Sequence, residues 1–431
     1  MSRREAARPS LDVDLLERVL ESGNMRRAWR QVRANKGAPG VDGVTVDDWP
    51  KFAHAEYERA REAVRDGSYR PKPVRRVSIP KPKGGERLLG IPTVTDRVLQ
   101  QAIAQVLMPI FDPEFSESSF GYRPGRSAHE AVREVLRHNR AGGKFAVDLD
   151  LEKFFDRVDH DRLMARLSGK IADKRLLKLT GRILRAGVLK GKQVHPSRQG
   201  VPQGGPLSPL LSNVVLDELD SELEHRGHGF VRYADDVVIF VKSRRAGERV
   251  KSSVTRFLQR RLRLAVNESK SRVVRTVEEL TYLGFAFKAG KLRWSDETLS
   301  RFKQKVRRLT GRNWGVSMAY RLRALRRYLV GWMNYFGISE FYRPIPELDG
   351  WIRRRVRMCY WRQWRRFQTR VRKLMNLGAS RGQVLATAKS SKGPWRLART
   401  LATNHGMSNK WLAEQGLVSL KTQWSALHYP R

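Results

Sequence analysis

The feature that most constrains the fold of this chain is an acidic pair set between two apolar runs. The pair, Asp235 and Asp236, comes shortly after Val231 and directly before the apolar run 237–241. Apolar runs on both sides of a short polar turn predict a β-hairpin whose tip holds the two carboxylates. Adjacent like charges between strands are unfavourable unless a cation lies between them. Asp-Asp is also common in simple turns, so the pair by itself leaves a cation site and a plain turn both open.

A second acidic segment, 144–150 (KFAVDLD), has the pattern of a strand. Its apolar residues alternate with Asp148 and Asp150, which places the two acids on one face. A carboxylate at a strand end, paired across a sheet with one at a hairpin tip, suits two-metal phosphoryl transfer, in which the ions lie roughly 3.5–4 Å apart. Ion pairs on the surface of a basic protein would explain these charges but not their position beside apolar strands. We therefore interpret Asp150, Asp235 and Asp236 as candidate ligands of divalent cations.

The net charge of the chain indicates a polyanionic partner. Its 431 residues include 86 Lys and Arg against 43 Asp and Glu, a formal net charge of +43. Such an excess is self-repelling unless a polyanion neutralises it, and nucleic acid is the expected counterion. No apolar run reaches the roughly 18 residues of a spanning helix, so no membrane partner is expected. Cys359 is the single cysteine, which excludes an internal disulfide and a multi-cysteine zinc site and agrees with a reducing, cytoplasmic setting.

The segment 351–373 concentrates this charge, because it contains no acidic residue and interleaves arginine with tryptophan, tyrosine and phenylalanine. Arginine binds phosphate, and aromatic rings stack on the unpaired bases of structured RNA. The alternative, which we favour for Trp361 and Trp364, is that the rings pack inside the protein and only the arginines face RNA. The candidate RNA-binding residues are Arg353, Arg354, Arg355, Arg365 and Arg366.

Periodicity divides the chain into regions of different structure. The segment 11–33 has helical spacing, 74–92 has the pattern of strand, loop and strand, and 144–241 alternates β-branched and helical runs. Beyond Glu297 the pattern is helical and strongly basic, with one apolar face. The predicted regions are 1–70, 71–295 (mixed α/β), 296–378 (helical) and 379–431 (C-terminal segment).

Several blocks of the sequence resemble, in order, those of a known family. DLDLEKFFDRVDHDRL, QGVPQGGPLSPLLSN, RYADDVVIF, NESKS and TYLGF resemble the palm blocks of reverse transcriptases, most closely those of group II intron reverse transcriptase–maturases. NKGAPGVDG, IPKPKGGERLLGIPTVTDRVLQQAI and FSESSFGYRPGRSAHEAV resemble the N-terminal extension and the fingers, and YLVGWMNYF resembles the thumb, or maturase domain. PWRLARTLATNHGMSNKWLAEQGLVSL resembles the C-terminal DNA-binding segment. The resemblance implies an α+β right-hand polymerase, with fingers and palm around an antiparallel sheet, followed by an all-helical thumb.

The resemblance assigns roles to the acids. It implies a magnesium-dependent, RNA-directed DNA polymerase in which Asp150 and Asp235 hold two Mg²⁺ ions and Asp236 supports them. Asp148 is secondary, because the family pattern D-x-x-x-F-F-D begins at Asp150. Lys270, in the NESKS block, resembles the lysine proposed to protonate pyrophosphate, although a plain surface lysine fits equally well.

The resemblance also implies a nucleotide site. Phe155 matches the aromatic residue beneath the sugar of the incoming nucleotide, where a 2′-hydroxyl would collide with the ring, so deoxynucleotides should be preferred. A core position is the alternative for this ring. Lys81, or Lys83 beside it, and Arg87 match residues that hold the triphosphate, for which an arginine fork is well suited. Gln203 matches a residue that contacts the nucleotide, and a tight turn before the following helix would fit the same segment.

The partners that the resemblance implies are group II intron RNA, an RNA template with a DNA primer, target DNA and dNTPs, in a bacterial cytoplasm and at the nucleoid during mobility. The oligomeric state stays open. With no second cysteine and no His-Asn-His cluster, the sequence resembles endonuclease-lacking lineages such as those of group IIC introns, so DNA cleavage is not expected. Three alternatives remain: an RNA-dependent RNA polymerase, disfavoured by Phe155; a non-catalytic RNA-binding splicing factor, disfavoured by the intact acids; and a domesticated reverse transcriptase in defence or repair.

Overall fold

The structure, a computed structural model, describes residues 14–80, 85–278 and 280–430 and divides into two compact units, Met1–Arg275 and Thr276–Arg431. The helices of the first unit are α1 (Leu15–Leu20), α2 (Ser22–Ala34), α3 (Trp49–Arg65), α4 (Val94–Phe111), α5 (Ala128–Arg140), α6 (Phe154–Arg157), α7 (His160–Ser168), α8 (Lys174–Leu184), α9 (Ser208–His225) and α10 (Arg244–Phe257). Its strands are β1 (Val74–Pro80), β2 (Glu86–Ile91), β3 (Phe145–Asp150), β4 (Val188–Lys190), β5 (Gln193–His195), β6 (Phe230–Tyr233), β7 (Asp236–Val241) and β8 (Arg272–Arg275).

The second unit begins with a small antiparallel sheet and continues as helices. Its strands, in the spatial order β11-β10-β9, are β9 (Thr281–Tyr282), β10 (Phe285–Lys288) and β11 (Lys291–Trp294). Its helices are α11 (Asp296–Leu309), α12 (Met318–Phe336), α13 (Pro344–Gln363), α14 (Phe367–Asn376), α15 (Arg381–Lys389), α16 (Pro394–Leu397), α17 (Leu401–Gly406), α18 (Asn409–Glu414) and α19 (Leu420–His428).

The α+β class predicted from the sequence is confirmed. In the first unit, β6, β7, β3 and β8 form an antiparallel sheet in that order. A second sheet has the order β2-β1-β4-β5, and its β1–β4 pair is parallel. In the described part of the second unit the chain is helical from Asp296 onward, as the apolar spacing there predicts. The four-part division of the chain stays a prediction.

One helix expected from the sequence is divided in two. The spacing at 11–33 predicts a single helix, but α1 and α2 are separated at Glu21, whose backbone is extended (φ −55°, ψ 132°). Ser22, Gly23 and Asn24 are weak helix formers, so a break in the helix here costs little free energy. Asn24 Nδ2 also donates to Val19 O at 3.0 Å, so the side chain satisfies a carbonyl near the break. Residues 11–13 lie outside the described residues.

The antiparallel sheet β6-β7-β3-β8, which contains Asp150 and Asp236, packs against the buried helix α9. Apolar side chains of β3, β6 and β7 join a single core with those of α4, α7 and α9. In helix α9, Ser208 and all of residues 210–216 are buried, which is typical of a helix enclosed by other elements. This packing anchors the apolar face of the sheet and leaves the strand ends that hold the acids at its edge. Among the described residues, no helix combines the length and apolar character needed to cross a membrane.

Candidate active site

The two acidic segments predicted from the sequence meet in the first unit. Strands β3 and β7 pair antiparallel with Asp150 directly opposite Asp236. Strands β6 and β7 pair through Tyr233 and Asp236, which leaves Ala234 and Asp235 as a two-residue tip. Ala234 has a left-handed backbone (φ 57°), which tight hairpin turns require of at least one residue. The hairpin predicted from the two apolar runs is confirmed.

Asp148, Asp150, Asp235 and Asp236 together form what we call the acidic corner, where burial and neighbouring negative charges disfavour the ionised form of a carboxyl group. Burial, and after it the charge of Asp150, raises the pKa of Asp235 above its ordinary value. Loss of water around the carboxyl, followed by the charges of Asp235 and Asp148, raises the pKa of Asp236 to about 7, although the residue as a whole is exposed. Burial also raises the pKa of Asp148 to about 6. Carboxylates held together against their own repulsion are typical of a site that takes up a cation.

Lys270 lies beside Asp150. Its Nζ is 3.0 Å from Asp150 Oδ2. The turn that holds Lys270 is tied to the end of β3 by two hydrogen bonds, in which Asn267 N donates to Asp150 O at 2.8 Å and Asp150 N donates to Ser271 Oγ at 3.0 Å. Residues more than a hundred positions apart in the chain are therefore held in one place by backbone contacts.

The chemistry of the donor set suits a divalent cation. Asp150, Asp235 and Asp236 offer carboxylate oxygens, which are the ligands that Mg²⁺ prefers in proteins. Within residues 14–80, 85–278 and 280–430, no three His, Cys, Asp or Glu side chains converge closely enough to form a metal-binding group. The ammonium group of Lys270 compensates the charge of Asp150 instead. Asp150, Asp235 and Asp236 are thus close enough to interact electrostatically, but among the described residues they do not converge as a preformed set of metal ligands.

A fully buried arginine supports the hairpin, and the sequence analysis did not identify it. Arg232 of β6 donates from Nε and Nη2 to the carboxylate of Asp220 at distances of 2.5 to 3.0 Å. Its Nη1 donates to Asn213 Oδ1 at 2.9 Å and to Ala234 O at 3.0 Å. Both side chains of the ion pair are 0% exposed. A charged residue inside an apolar strand requires a buried partner, and that sequence signal could have identified Arg232.

Gly121 lies against the tip of the hairpin. A Cβ atom at this position would be 2.3 Å from Ala234 N and 3.0 Å from Tyr233 C, which no side chain tolerates. Asn213 Nδ2 donates to Gly121 O at 2.8 Å, so the same asparagine binds both Gly121 and Arg232. The backbone at Gly121 therefore limits where the Ala234 turn can lie.

Replacing Gly121 with alanine should displace the acidic tip and destabilise the first unit. The expected loss in the free energy of unfolding is about 1–3 kcal/mol, the usual cost of overpacking, because the clash is with backbone. Urea denaturation measures the loss, and hydrogen exchange at the amides of 233–236 should become faster. Gly169→Ala is the control, since its Cβ would meet nothing closer than 3.4 Å and its φ is −65°. Equal behaviour of the two variants would contradict a close-packed tip.

Tyr122, the residue after Gly121, is a further candidate that no pattern in the sequence indicates. Its backbone is left-handed (φ 62°), and its side chain is 43% exposed. Burial of the phenol, and then the nearby charge of Asp235, raises the pKa of Tyr122. Non-glycine residues in left-handed conformations concentrate at functional sites, because the surrounding structure must hold them there. Tyr122 thus borders the acidic corner.

Phe155 and Gln203 line one cleft of about 720 Å³ in the first unit. Val201 N donates to Phe155 O at 2.7 Å, and Gly90 N donates to Gln203 O at 2.9 Å, so both residues are fixed through backbone. Phe154 is buried, whereas Phe155 is half-buried, so part of the Phe155 ring is open to the cleft. The described residues that line the cleft do not include the three candidate cation ligands.

Arg87 lies apart from that cleft. Leu88 lines the cleft, and neighbouring residues of a strand point to opposite faces, so Arg87 of β2 faces away from it. The positive charge of Arg87 is close enough to Asp235 to oppose the rise in the pKa of that carboxyl. The structure therefore brings Arg87 toward the acids rather than toward Phe155. The predicted phosphate-binding Lys81 and its alternative Lys83 lie outside the described residues.

Two of the five arginines predicted to bind RNA, Arg354 and Arg355, donate hydrogen bonds inside the second unit. The Arg354 guanidinium carbon lies 3.7 Å from the centroid of the Trp395 ring, and the same side chain donates to Trp395 O. Arg355 Nε donates to Thr310 Oγ1 at 2.5 Å, and its Nη2 donates to Arg307 O at 3.4 Å. These guanidinium groups already stabilise the fold, which leaves them less available to a phosphate.

The other three predicted RNA-binding arginines differ in exposure. Arg353 is half-buried and its Nη1 lies 3.9 Å from Asp349 Oδ2, whereas Arg365 and Arg366 are exposed. Trp361 and Trp364 are 1% and 8% exposed, so the packing role that the sequence favours for both rings is confirmed. Trp361 and Trp364 thus pack inside the protein, whereas Arg365 and Arg366 contribute surface charge.

Two protein-family models match the chain. "Reverse transcriptase (RNA-dependent DNA polymerase)" matches residues 79–287, and "Group II intron, maturase-specific domain" matches residues 299–378. Protein YkfC of Escherichia coli (strain K12) is 32% identical over 320 residues, which cover 65% of this chain and 84% of that protein. The group II intron-encoded protein LtrA of Lactococcus lactis subsp. cremoris is 29% identical over 323 residues, which cover 60% of this chain. The match spans 54% of LtrA, about half of its length.

Solved structures are also similar to the chain. A chain of the partial Cas6-RT-Cas1–Cas2 complex is 27% identical, with 57% of this chain and 42% of that chain covered and a TM-score of 0.38. Telomerase from Candida tropicalis is 13% identical, with 90% and 68% covered and a TM-score of 0.44. A reverse transcriptase domain implies, in general, a divalent-metal-dependent polymerase. The two family models and the extent of the match to YkfC show that the chain belongs to the group II intron reverse transcriptases, with an RNA-directed DNA polymerase domain followed by a maturase-specific domain.

Proposed function

We propose that this protein copies group II intron RNA into DNA with two bound Mg²⁺ ions, and that it binds the same RNA to assist its splicing and mobility. The observation that supports the polymerase is the position of Asp150 opposite Asp236, where burial and the neighbouring acids raise the pKa values of Asp235 and Asp236. Both family models in one chain support the joined maturase role. The proposed partners are the intron RNA, an RNA template with a DNA primer, dNTPs and target DNA.

The proposed catalytic residues are those of the acidic corner. We assign Asp150 and Asp235 as metal ligands and Asp236 as a supporting carboxylate. Bound magnesium would supply Lewis-acid stabilisation of the charge on the transferred phosphoryl group. Lys270 holds a proton at Nζ beside Asp150, and we assign it the role of general acid toward pyrophosphate.

The proposed nucleotide-binding residues are Arg87, Phe155 and Gln203, with Lys81 as a further candidate. Arg87 presents an exposed guanidinium near the acids, which suits bidentate binding of phosphate oxygens. Phe155 presents part of its ring to the cleft that Gln203 also lines, which is consistent with a ring beneath a sugar. For RNA binding, the exposed Arg365 and Arg366 are better candidates than the internally bonded Arg354 and Arg355.

Replacing Phe155 with valine should admit ribonucleotides. A smaller side chain leaves room for the 2′-hydroxyl, so the preference for dNTPs over NTPs should fall by up to about 100-fold, the range that such steric pockets provide. Primer extension on an RNA template with a DNA primer and Mg²⁺ measures the ratio of kcat/KM values. Phe154→Leu is the matched control, because that ring is buried and should affect stability without changing the ratio.

The same assay tests the polymerase assignment itself. Wild-type protein should extend the primer with dNTPs, and preference for NTPs would overturn the assignment of Phe155 and indicate an RNA-dependent RNA polymerase. The maturase role is tested separately by sequencing the RNA that copurifies with the protein. Recovery of group II intron RNA is expected, and its absence above background would contradict that role.

A further inference from the structure

The turn between α11 and α12, residues 310–317, lies in a stretch of sequence without acidic residues. The sequence contains no Asp or Glu between Glu297 and Glu340. The exposed cations of this stretch are Arg301, Arg307, Arg308, Arg312, Arg323, Arg326 and Arg327. A surface of one charge sign attracts a polyanion at long range, but by itself it selects no particular ligand.

The buried Arg321 and the half-buried Arg355 fix the backbone of this turn. Arg321, which is 5% exposed, donates from Nη1 to Leu309 O at 2.8 Å and to Gly311 O at 3.2 Å. Its Nη2 donates to Trp314 O at 2.9 Å. The carbonyl groups at the end of a helix are electronegative and would repel phosphate, so their capture by a guanidinium makes the turn more favourable to an anion.

Arg355 adds to this arrangement from α13. It donates to Thr310 Oγ1 at 2.5 Å and to Arg307 O at 3.4 Å. Cys359 Sγ lies 3.5 Å from Thr310 O as a further donor. The arginine that the sequence suggested for phosphate binding thus acts indirectly, because it holds the turn in place.

The side chains that the turn presents outward combine charge with aromatic rings. Arg308, Arg312, Asn313 and Trp314 line an open cleft of about 430 Å³. Trp314 is half-buried, and Tyr320, half exposed, meets it edge-to-face with 5.8 Å between ring centroids. A fixed aromatic ring beside exposed arginines and an amide is a combination that recognises an unpaired nucleotide, since every base has a face that stacks.

We propose that the α11–α12 turn binds an unpaired nucleotide of a structured RNA, with its base on Trp314 and its phosphates between Arg308 and Arg312. The choice of RNA as the polyanion rests on the proposed function, while the unpaired state follows from the turn itself. A base inside a duplex exposes its edges but not its faces, so it cannot stack on this ring. Asn313 offers both a donor and an acceptor to the base edge.

The first test compares a fluorescein-labelled single-stranded RNA 12-mer with the duplex of the same sequence. Trp314→Ala should weaken binding of the single strand by about tenfold, the usual effect of losing one stacked base, and leave duplex binding unchanged. A 2-aminopurine in the single strand should be quenched by the wild-type protein and less so by the variant. Trp314→Phe should restore both properties, which separates stacking from a defect in folding.

The second test addresses the phosphate contacts. Arg308→Gln with Arg312→Gln should reduce the slope of log K against log salt for the single strand by about 1.4, or 0.7 for each phosphate released. Arg244→Gln with Arg245→Gln is the matched control, because it removes two neighbouring exposed arginines from the first unit. The exposed Tyr429→Ala is the control for loss of a ring.

Three outcomes would overturn the proposal. They are equal slopes for the two arginine pairs, an effect of Trp314→Ala no larger than that of Tyr429→Ala, and tighter binding of single-stranded DNA than of RNA. These assays contain no primer, nucleotide or metal. They can therefore succeed while cDNA synthesis fails, and they can fail while synthesis is normal, so the two proposals are tested independently.

Discussion

Replacing Asp235 with alanine should abolish cDNA synthesis and leave RNA binding nearly intact. The loss should reach about three orders of magnitude or more, because stabilisation of phosphoryl charge by metal contributes several kcal/mol and each 1.36 kcal/mol is tenfold in rate. RNA binding should persist, since the change removes one charge at the acidic corner and leaves the exposed arginines of the second unit untouched. Primer extension measures the first property and filter retention of labelled RNA the second.

The stability of the same variant gives an independent readout. Asp235 lies where burial and the charge of Asp150 disfavour its ionised form, so its removal should relieve repulsion in the metal-free protein. Metal-free Asp235→Ala should therefore unfold at a temperature no lower than the wild type, and added Mg²⁺ should stabilise it less. Asp47→Ala, at an exposed position, is the control. Synthesis within tenfold of the wild type would remove Asp235 from the proposed site.

Replacing Arg232 with methionine should strongly destabilise the first unit. The change leaves the carboxylate of Asp220 buried and unpaired, and breaking a buried ion pair in this way costs about 3–5 kcal/mol. It also removes the donor from Ala234 O at the hairpin tip, so the rate of nucleotide incorporation should fall in whatever fraction stays folded. Urea denaturation measures the first effect and single-turnover incorporation the second.

A double replacement distinguishes the effect of the buried ion pair on stability from its effect on the position of the hairpin tip. Arg232→Met combined with Asp220→Leu removes both charges, and apolar replacement of a buried ion pair is often neutral for stability. The double variant should regain most of the lost stability but not the lost rate, because Ala234 O still lacks its donor. Recovery of both would mean that the ion pair supports the fold without positioning the acids.

Local patterns in the sequence determined much of the polymerase domain. The hairpin at Asp235 and the strand ending at Asp150 both follow from apolar alternation over a few residues, and both are present. The interpretation that Trp361 and Trp364 pack inside the protein is also confirmed by their burial. Periodicity succeeds here because each element's exposed and buried faces are fixed by its own geometry.

Such local patterns do not predict contacts between segments that are distant in the sequence. Arg354 and Arg355 fit a phosphate-binding series by composition, yet the fold engages them with Trp395 and Thr310. A guanidinium on a long side chain reaches whatever acceptor the tertiary packing brings near, and composition does not report that acceptor.

The sequence by itself determined the acidic hairpin, the helical pattern beyond Glu297 and the basic character of the chain, because these depend on periodicity and on counted charge, and the resemblance of its motif blocks to a known family implied the α+β class. Only the tertiary structure decided that Lys270 pairs with Asp150 and that Arg232 supports the tip from a buried site. It also decided that Trp314 lies among exposed arginines in a turn fixed from within. The physical reason is that a side chain's free energy depends on its neighbours in space, and those are set by packing across the whole unit.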